Sequence, residues 1–147
     1  ETLKVRIPAG VEDGKSLRLR GKGLPPPGGG PAGDLHIKLQ IPDHPRLRRR
    51  GKHLDLDVPI TVGEAMRGAT IRVPTPTGAV SVKVPAGATS GTKLRLKGRG
   101  VQASSGKGDL YLILRPTVPS TDDEDVLAAV DVIEAAYEGD VREGLEL

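Results

Sequence analysis

The chain has 147 residues, a net charge of +3, 20 glycines and 13 prolines, which excludes a long helical bundle and points to short strands between turns. Aromatic residues make up 1%, Tyr111 and Tyr137 with no Phe or Trp, so base stacking on single-stranded nucleic acid has almost no material to use. There is no cysteine, which excludes disulfides, thiolate metal sites and a cysteine nucleophile, and no apolar run approaches the ~20 residues of a membrane span.

Leu3, Val5 and Ile7 alternate with Thr2, Lys4 and Arg6, a period of two that predicts a strand, and Pro8-Ala9-Gly10 stops it. Leu17 and Leu19 alternate with Arg18 and Arg20 in a second strand, which Gly21-Lys22-Gly23 turns. Residues 25–33 have no periodicity and read as a surface loop. Leu35, Ile37, Leu39 and Ile41 give the longest alternating strand of this half. The segment 46–53 is polar, basic and closed by Gly51, and reads as a hinge. Leu54, Leu56, Val58 and Ile60 alternate again. Thr61 and Glu64 then form a capping-box pattern, with Gly68 placed to end a short helical turn. Ile71 and Val73 begin a strand that Pro76-Thr77-Gly78 turns into Val80, Val82 and Val84.

The chain then repeats itself. Residues 82–101, VKVPAGATSGTKLRLKGRGV, match residues 5–24, VRIPAGVEDGKSLRLRGKGL, at an offset of 77 positions. Gly33-Asp34-Leu35 is answered by Gly108-Asp109-Leu110. Two copies with one long period indicate tandem subdomains, since a solenoid needs about three repeats or more. The second copy carries two strands and a short helix ahead of its VPAG strand. The first lacks an equivalent of residues 54–80 and is expected to be a truncated version with an unprotected edge. Residues 120–147 change type: Thr121-Asp122-Asp123-Glu124 is another capping-box pattern, and Val126, Val130, Ile133 and Tyr137 make one apolar helical stripe that must dock on its own chain or a partner.

Charge divides along the same line. Residues 1–119 hold 21 lysines and arginines against 9 acidic residues, and residues 120–147 hold Arg142 against 10 acidic residues. The basic side chains alternate with apolar ones instead of clustering, so they read chiefly as the solvated faces of strands. No catalytic or cofactor chemistry can be assembled. Gly10 to Ser16 imitates a phosphate-binding loop but is one residue short and leads into a strand, where such a loop needs a helix. His36, His44 and His53 lack partners at metal-ligand spacing, and Asp55 and Asp57 lie beside basic neighbours on one strand face. The expectation is a non-enzyme that binds neither metal nor nucleotide and resides in the cytoplasm.

In order along the chain, ValArgIlePro at 5–8, Gly33-Asp34-Leu35, His44-Pro45, Glu64-Ala65, Gly68, Val73-Pro74-Thr75 and Gly108-Asp109-Leu110-Tyr111 resemble the C-terminal client-binding region of DnaJ-family co-chaperones. The resemblance covers residues 2–118. It departs from the family pattern at Leu47, where a Phe is usual, so hinge packing is altered. The J domain's His-Pro-Asp tripeptide is not present, because His44-Pro45 continues to Arg46. A zinc module, where family members have one, would lie upstream of residue 1.

The resemblance implies an all-β fold. Its parts are a partial first client-binding subdomain at 1–45, a hinge at 46–53, a second subdomain at 54–119, and a C-terminal helix and dimerisation segment at 120–147. It implies capture of unfolded polypeptide and delivery to a DnaK-type ATPase. The residues themselves lead to the same place, since tandem β subdomains with exposed edges and aliphatic rows suit recognition by strand addition. Candidate client contacts are Ile60, Val62, Met66, Ile71 and Val73 in the second copy and Leu35, Ile37, Leu39 and Leu47 in the first. Candidate contacts for a homodimer are Val126, Val130, Ile133 and Tyr137. The alternative is a basic, β-rich RNA-binding or ribosome-associated protein, favoured by the charge of residues 1–119 and opposed by the missing aromatics.

Overall fold

The computed structural model describes residues 2–146, which fall into one compact unit ending at Thr117 and a second beginning at Val118. The fold is all-β apart from two helices. Strands β1 (Ser16–Leu19) and β2 (Leu35–Lys38) pair antiparallel, with Leu17 opposite Ile37 and Leu19 opposite Leu35. Their counterparts in the second copy are two later strands, Lys93–Leu96 and Leu110–Thr117. These also pair antiparallel, with Leu94 opposite Leu112 and Leu96 opposite Leu110.

The correspondence holds bond by bond. Gly14 N donates to Leu39 O at 2.9 Å, and Gly91 N to Leu114 O at 2.9 Å. Leu39 N donates to Lys15 O at 2.8 Å, and Leu114 N to Thr92 O at 2.9 Å. Gly23 N reaches Gly33 O at 2.7 Å, as Gly100 N reaches Gly108 O at 2.9 Å. A Cβ at Gly23 or Gly100 would come within 2.8 or 2.5 Å of the carbonyl oxygen of Asp34 or Asp109, so both glycines are required by close backbone approach.

What surrounds the two pairs differs. Strands β3 (Leu47–Arg50) and β4 (His53–Thr61) form an antiparallel hairpin, and β4 runs parallel to the last strand of the unit. Helix α1 (Val62–Arg67) follows, with the Thr61/Glu64 capping box formed in both directions and Gly68 at its end. Strands β5 (Ala69–Val73) and β6 (Val80–Val84) make a hairpin closed between Thr75 and Gly78. Then come β7 (Lys93–Leu96), a small hairpin of β8 (Gln102–Ala103) and β9 (Gly106–Lys107), and β10 (Leu110–Thr117). The central sheet has the order β3-β4-β10-β7.

Alternation along β4 and β10 places Leu54, Val58, Ile60, Leu110, Leu112 and Leu114 in one core with Ala65 of α1 and Val73, Val82 and Val84 of the β5–β6 hairpin. Leu112 and Leu114 are 0% exposed. Between residues 2 and 50 no side chain is fully buried, so the core belongs to the second copy.

Three expectations are corrected. Residues 3–7 are not a strand: at the offset of 77 they correspond to β6, whose partner is β5, and the first copy has no β5 counterpart among the described residues. The segment read as a hinge contains strand β3, because its arginines stay exposed and are neutralised across the β3–β4 pair by Asp55 and Asp57. In the second unit, helix α2 (Glu124–Glu134) is capped by Asp123, whose side chain accepts from Val126 N at 3.1 Å. Thr121, expected as the cap, instead accepts from Asp123 N at 3.2 Å. Tyr137 therefore lies beyond the helix.

Candidate functional site

The residues that make the repeat recognisable form a structural clamp in each copy. Asp34 accepts from Gly21 N at 2.8 Å and pairs with Arg18. Asp109 accepts from Gly98 N at 2.8 Å and from Arg95 Nε and Nη2 at 2.9 and 2.6 Å. In both, the backbone donor first and the arginine second hold the carboxyl below the usual aspartate range. The second clamp is built in more deeply. Asp109 N donates to His53 Nδ1 at 3.0 Å, and Asp109 O accepts from Leu54 N at 2.9 Å, which fastens β4 to β10.

The polar face of the central sheet is a network of ion pairs. Arg48 donates to both carboxylate oxygens of Asp57 at 2.6 and 3.2 Å, and Arg115 reaches the same group at 3.2 Å. Arg50 meets Asp55 at 3.3 and 3.1 Å, with its guanidinium 5.4 Å from the centroid of the Tyr111 ring. Hydrogen bonds from Arg48 and Arg50 lower Asp57 and Asp55 and raise the two guanidinium groups in turn. These are diagonal cross-strand pairs, and they occupy four of the arginines that give residues 1–119 their positive charge once Arg95 is included. Arg49 points the other way and donates to the carbonyls of Gly10 and Val11 at 2.8 Å each, tying the first copy to β3. His44 Nδ1 accepts from the amides of Arg46 and Leu47, both at 3.1 Å. None of these groups forms a nucleophile–base pair. Among the described residues no group of three or more His, Asp or Glu side chains is placed to hold a metal ion, and no helix is long and apolar enough to cross a membrane.

The aliphatic candidates separate by burial. Ile60 and Val73 are 3% and 2% exposed and belong to the core, so neither can touch a client in the folded chain. Their alternation with polar neighbours read equally well as a contact row, and only the core that joins β4 and β10 to the β5–β6 hairpin decides the matter. Val62 and Ile71 are half-buried, and Met66 is exposed on the next turn of α1 from Val62. Leu47 is half-buried at the margin of the core. Leu35, Ile37 and Leu39 are half-buried on one face of β2 and its extension, while His36, Lys38 and Gln40 are exposed on the other. In the second unit Val126, Val130 and Tyr137 are exposed and Ile133 is half-buried.

Two features escaped the sequence reading. Leu127 and Val132 are also exposed, so the apolar surface of α2 is broader than one stripe. An open groove of 720 Å³ lies where the first copy meets β8 and β9, walled by Val11, Leu17, Val101 and Ala103 and crossed by Arg49. Gly10 and Ala103 both line it, close enough that a Cβ at Gly10 would come within 2.7 Å of Ala103, and that approach has no periodic signal in the sequence.

A sequence profile described as the DnaJ C terminal domain matches residues 1–119. The chain is 47% identical over 120 residues to chaperone protein DnaJ 1 of Streptomyces coelicolor, covering 80% of this chain and 30% of that protein. It is 46% identical over 114 residues to chaperone protein DnaJ of an Exiguobacterium species, covering 76% of this chain and 31% of the relative. It is also 41% identical over 128 residues to the curved DNA-binding protein of Escherichia coli, covering 87% and 42% of the two chains. The matched length carries both copies of the repeat and both aspartate clamps, and the chain belongs to the DnaJ C-terminal domain family.

Proposed function

We propose that this chain captures extended, apolar segments of unfolded polypeptide in the cytoplasm and serves a DnaK-type ATPase by presenting them. The observation that carries this reading is the pairing of open strand edges with half-buried aliphatic rows. The β5–β6 hairpin is a two-stranded sheet with Ile71 half-buried in β5 and Met66 exposed on the preceding α1, and Leu35, Ile37 and Leu39 are half-buried on one face of β2 and its extension. A strand added to such an edge gains main-chain bonds that are indifferent to sequence, while the aliphatic rows select apolar side chains. The contacts proposed are Leu35, Ile37 and Leu39 in the first copy and Val62, Met66 and Ile71 in the second. The exposed apolar surface of α2, centred on Val126 and Val130, is proposed as a homodimer contact that would bring two such surfaces into one particle.

A chemically unfolded client diluted into buffer, with and without the chain and without ATP, tests the function. Slower light scattering with the chain present is the expected result, and unchanged aggregation at a tenfold excess argues against it. The name of the Escherichia coli relative favours a second reading, binding to DNA. Against it, Arg48, Arg50, Arg95 and Arg115 are already held by Asp55, Asp57 and Asp109, so the sheet face presents far less free cation than its composition suggests.

A further inference from the structure

We propose that Arg49 is a positioning residue: it sets the angle between the two copies of the repeat, and with it the spacing of their aliphatic surfaces. Each of its three guanidinium nitrogens is engaged by a main-chain carbonyl. Nε donates to Gly51 O at 2.8 Å within the β3–β4 turn, while Nη1 and Nη2 donate to Val11 O and Gly10 O of the first copy, also at 2.8 Å. The Glu12 carboxylate lies 3.8 Å from Nη2. One part of the planar fork is thus fixed on the second copy and the other on the first. The Arg49 side chain is 31% exposed, against 51% and 58% for Arg48 and Arg50, whose partners lie on the neighbouring strand of their own sheet.

Little else fixes the joint. No strand pairing joins the copies among the described residues, because β1 and β2 form a sheet of their own. No side chain of residues 2–45 is fully buried, so the copies share no core. The covalent link is short and exposed. Asp13 Oδ1 holds Ile41 N at 2.7 Å on one side, and His44 Nδ1 holds the amides of Arg46 and Leu47 at 3.1 Å on the other, which leaves Pro42 and Asp43 as the pivot. The turn that Arg49 grips also packs on β8 through Gly10 and Ala103. A lysine at 49 has a single nitrogen and cannot reproduce the fork that spans three carbonyls. With the angle fixed, a polypeptide bound to one copy meets the second at a defined distance, which raises its effective concentration there. Only this consequence rests on the client-binding reading.

The test uses the full chain, which has no cysteine, so two introduced ones carry spin labels without ambiguity. Lys38→Cys in β2 and Lys93→Cys in β7 place exposed labels on the two copies. Pulsed electron resonance is expected to give one narrow distance distribution, made about twofold broader by Arg49→Ala and broadened also by Arg49→Lys. Unchanged exchange protection of the Leu112 and Leu114 amides shows that the second copy stays folded in both variants. A width that neither variant changes overturns the inference. Its consequence is read with two aliphatic peptides, one a single segment and the other two such segments joined by a flexible linker. Arg49→Ala should weaken the tandem peptide about tenfold and leave the single one unaffected; equal effects on the two overturn the spacing role. The client reading fails separately, if neither peptide binds the parent chain, and the distance distributions then still decide whether Arg49 sets the angle.

Discussion

Gly33 and Gly108 occupy the same position of the repeat, yet alanine at the two should act in opposite ways. Neither glycine has the left-handed backbone that a side chain avoids, so the difference is steric. At Gly33 a Cβ meets only the Leu24 carbonyl at 3.7 Å, an ordinary contact. At Gly108 it overlaps the carbonyl group of Lys52 outright, where the β3–β4 turn crosses the start of β10. Relief requires Lys52 to retreat by about 1.5 Å to recover normal separation. That movement opens Val101 N to Lys52 O, now 3.0 Å, and strains the neighbouring Leu54 N to Asp109 O, now 2.9 Å. Two bonds at about 1 kcal/mol each, with about 1–3 kcal/mol of overpacking, give a loss of about 3–5 kcal/mol. At roughly 4 °C per kcal/mol for a unit of this size, Gly108→Ala should lower Tm by about 12–20 °C. Gly33→Ala should leave it unchanged or raise it slightly by restricting the unfolded chain. Thermal unfolding followed by circular dichroism reads both. Equal losses, or a larger loss at Gly33, would refute the view that the β3–β4 turn is packed directly against Gly108.

Acid should destabilise the chain in a defined window. Asp34, Asp55, Asp57 and Asp109 all titrate below their ordinary value in the folded state. Their contribution is therefore complete above the unfolded pKa of about 3.9 and is lost as pH falls through the folded values below it. Urea midpoints should stay level from about pH 7 to 5 and fall steeply below about 4, with Asp109→Asn flattening that fall; a midpoint that already declines between pH 7 and 5 contradicts the assignment. Thr61→Ala removes one arm of the α1 capping box and should cost about 1 kcal/mol by urea titration, with no cost if the cap is redundant. Val126→Asp with Val130→Asp should reduce the mass measured by light scattering to that of one chain, and a mass unchanged from the parent chain removes α2 from the dimer contact.

Much of this architecture was legible because the repeat is carried by residues with strict steric or hydrogen-bonding duties. The glycine pairs 23/100 and the aspartates 34 and 109 keep their places because backbone approach and amide capture leave no substitute. The short α1 was readable from Thr61 and Glu64, which act within four residues of each other. Features set by distant partners were not readable. Residues 3–7 have the alternation of a strand, and no pattern within them says that the described residues hold no strand paired to them. Residues 47–50 look like a solvated basic linker until Asp55 and Asp57 are placed across from them by the β3–β4 register. Ile60 and Val73 share their alternation with the surface candidates, and the core that joins β4 and β10 to the β5–β6 hairpin separates them only in three dimensions.

Fluorescence anisotropy of a labelled aliphatic-rich peptide, titrated with the chain at low and high salt beside a polar peptide of equal length, tests client capture most directly. The interface is small, so affinity should be on the order of micromolar or weaker. The aliphatic peptide should bind in preference to the polar one and keep its affinity at high salt, because apolar burial and main-chain pairing are not screened as phosphate contacts are. No preference between the peptides, or binding abolished by modest salt, would contradict client capture and transfer the chain to the nucleic-acid reading.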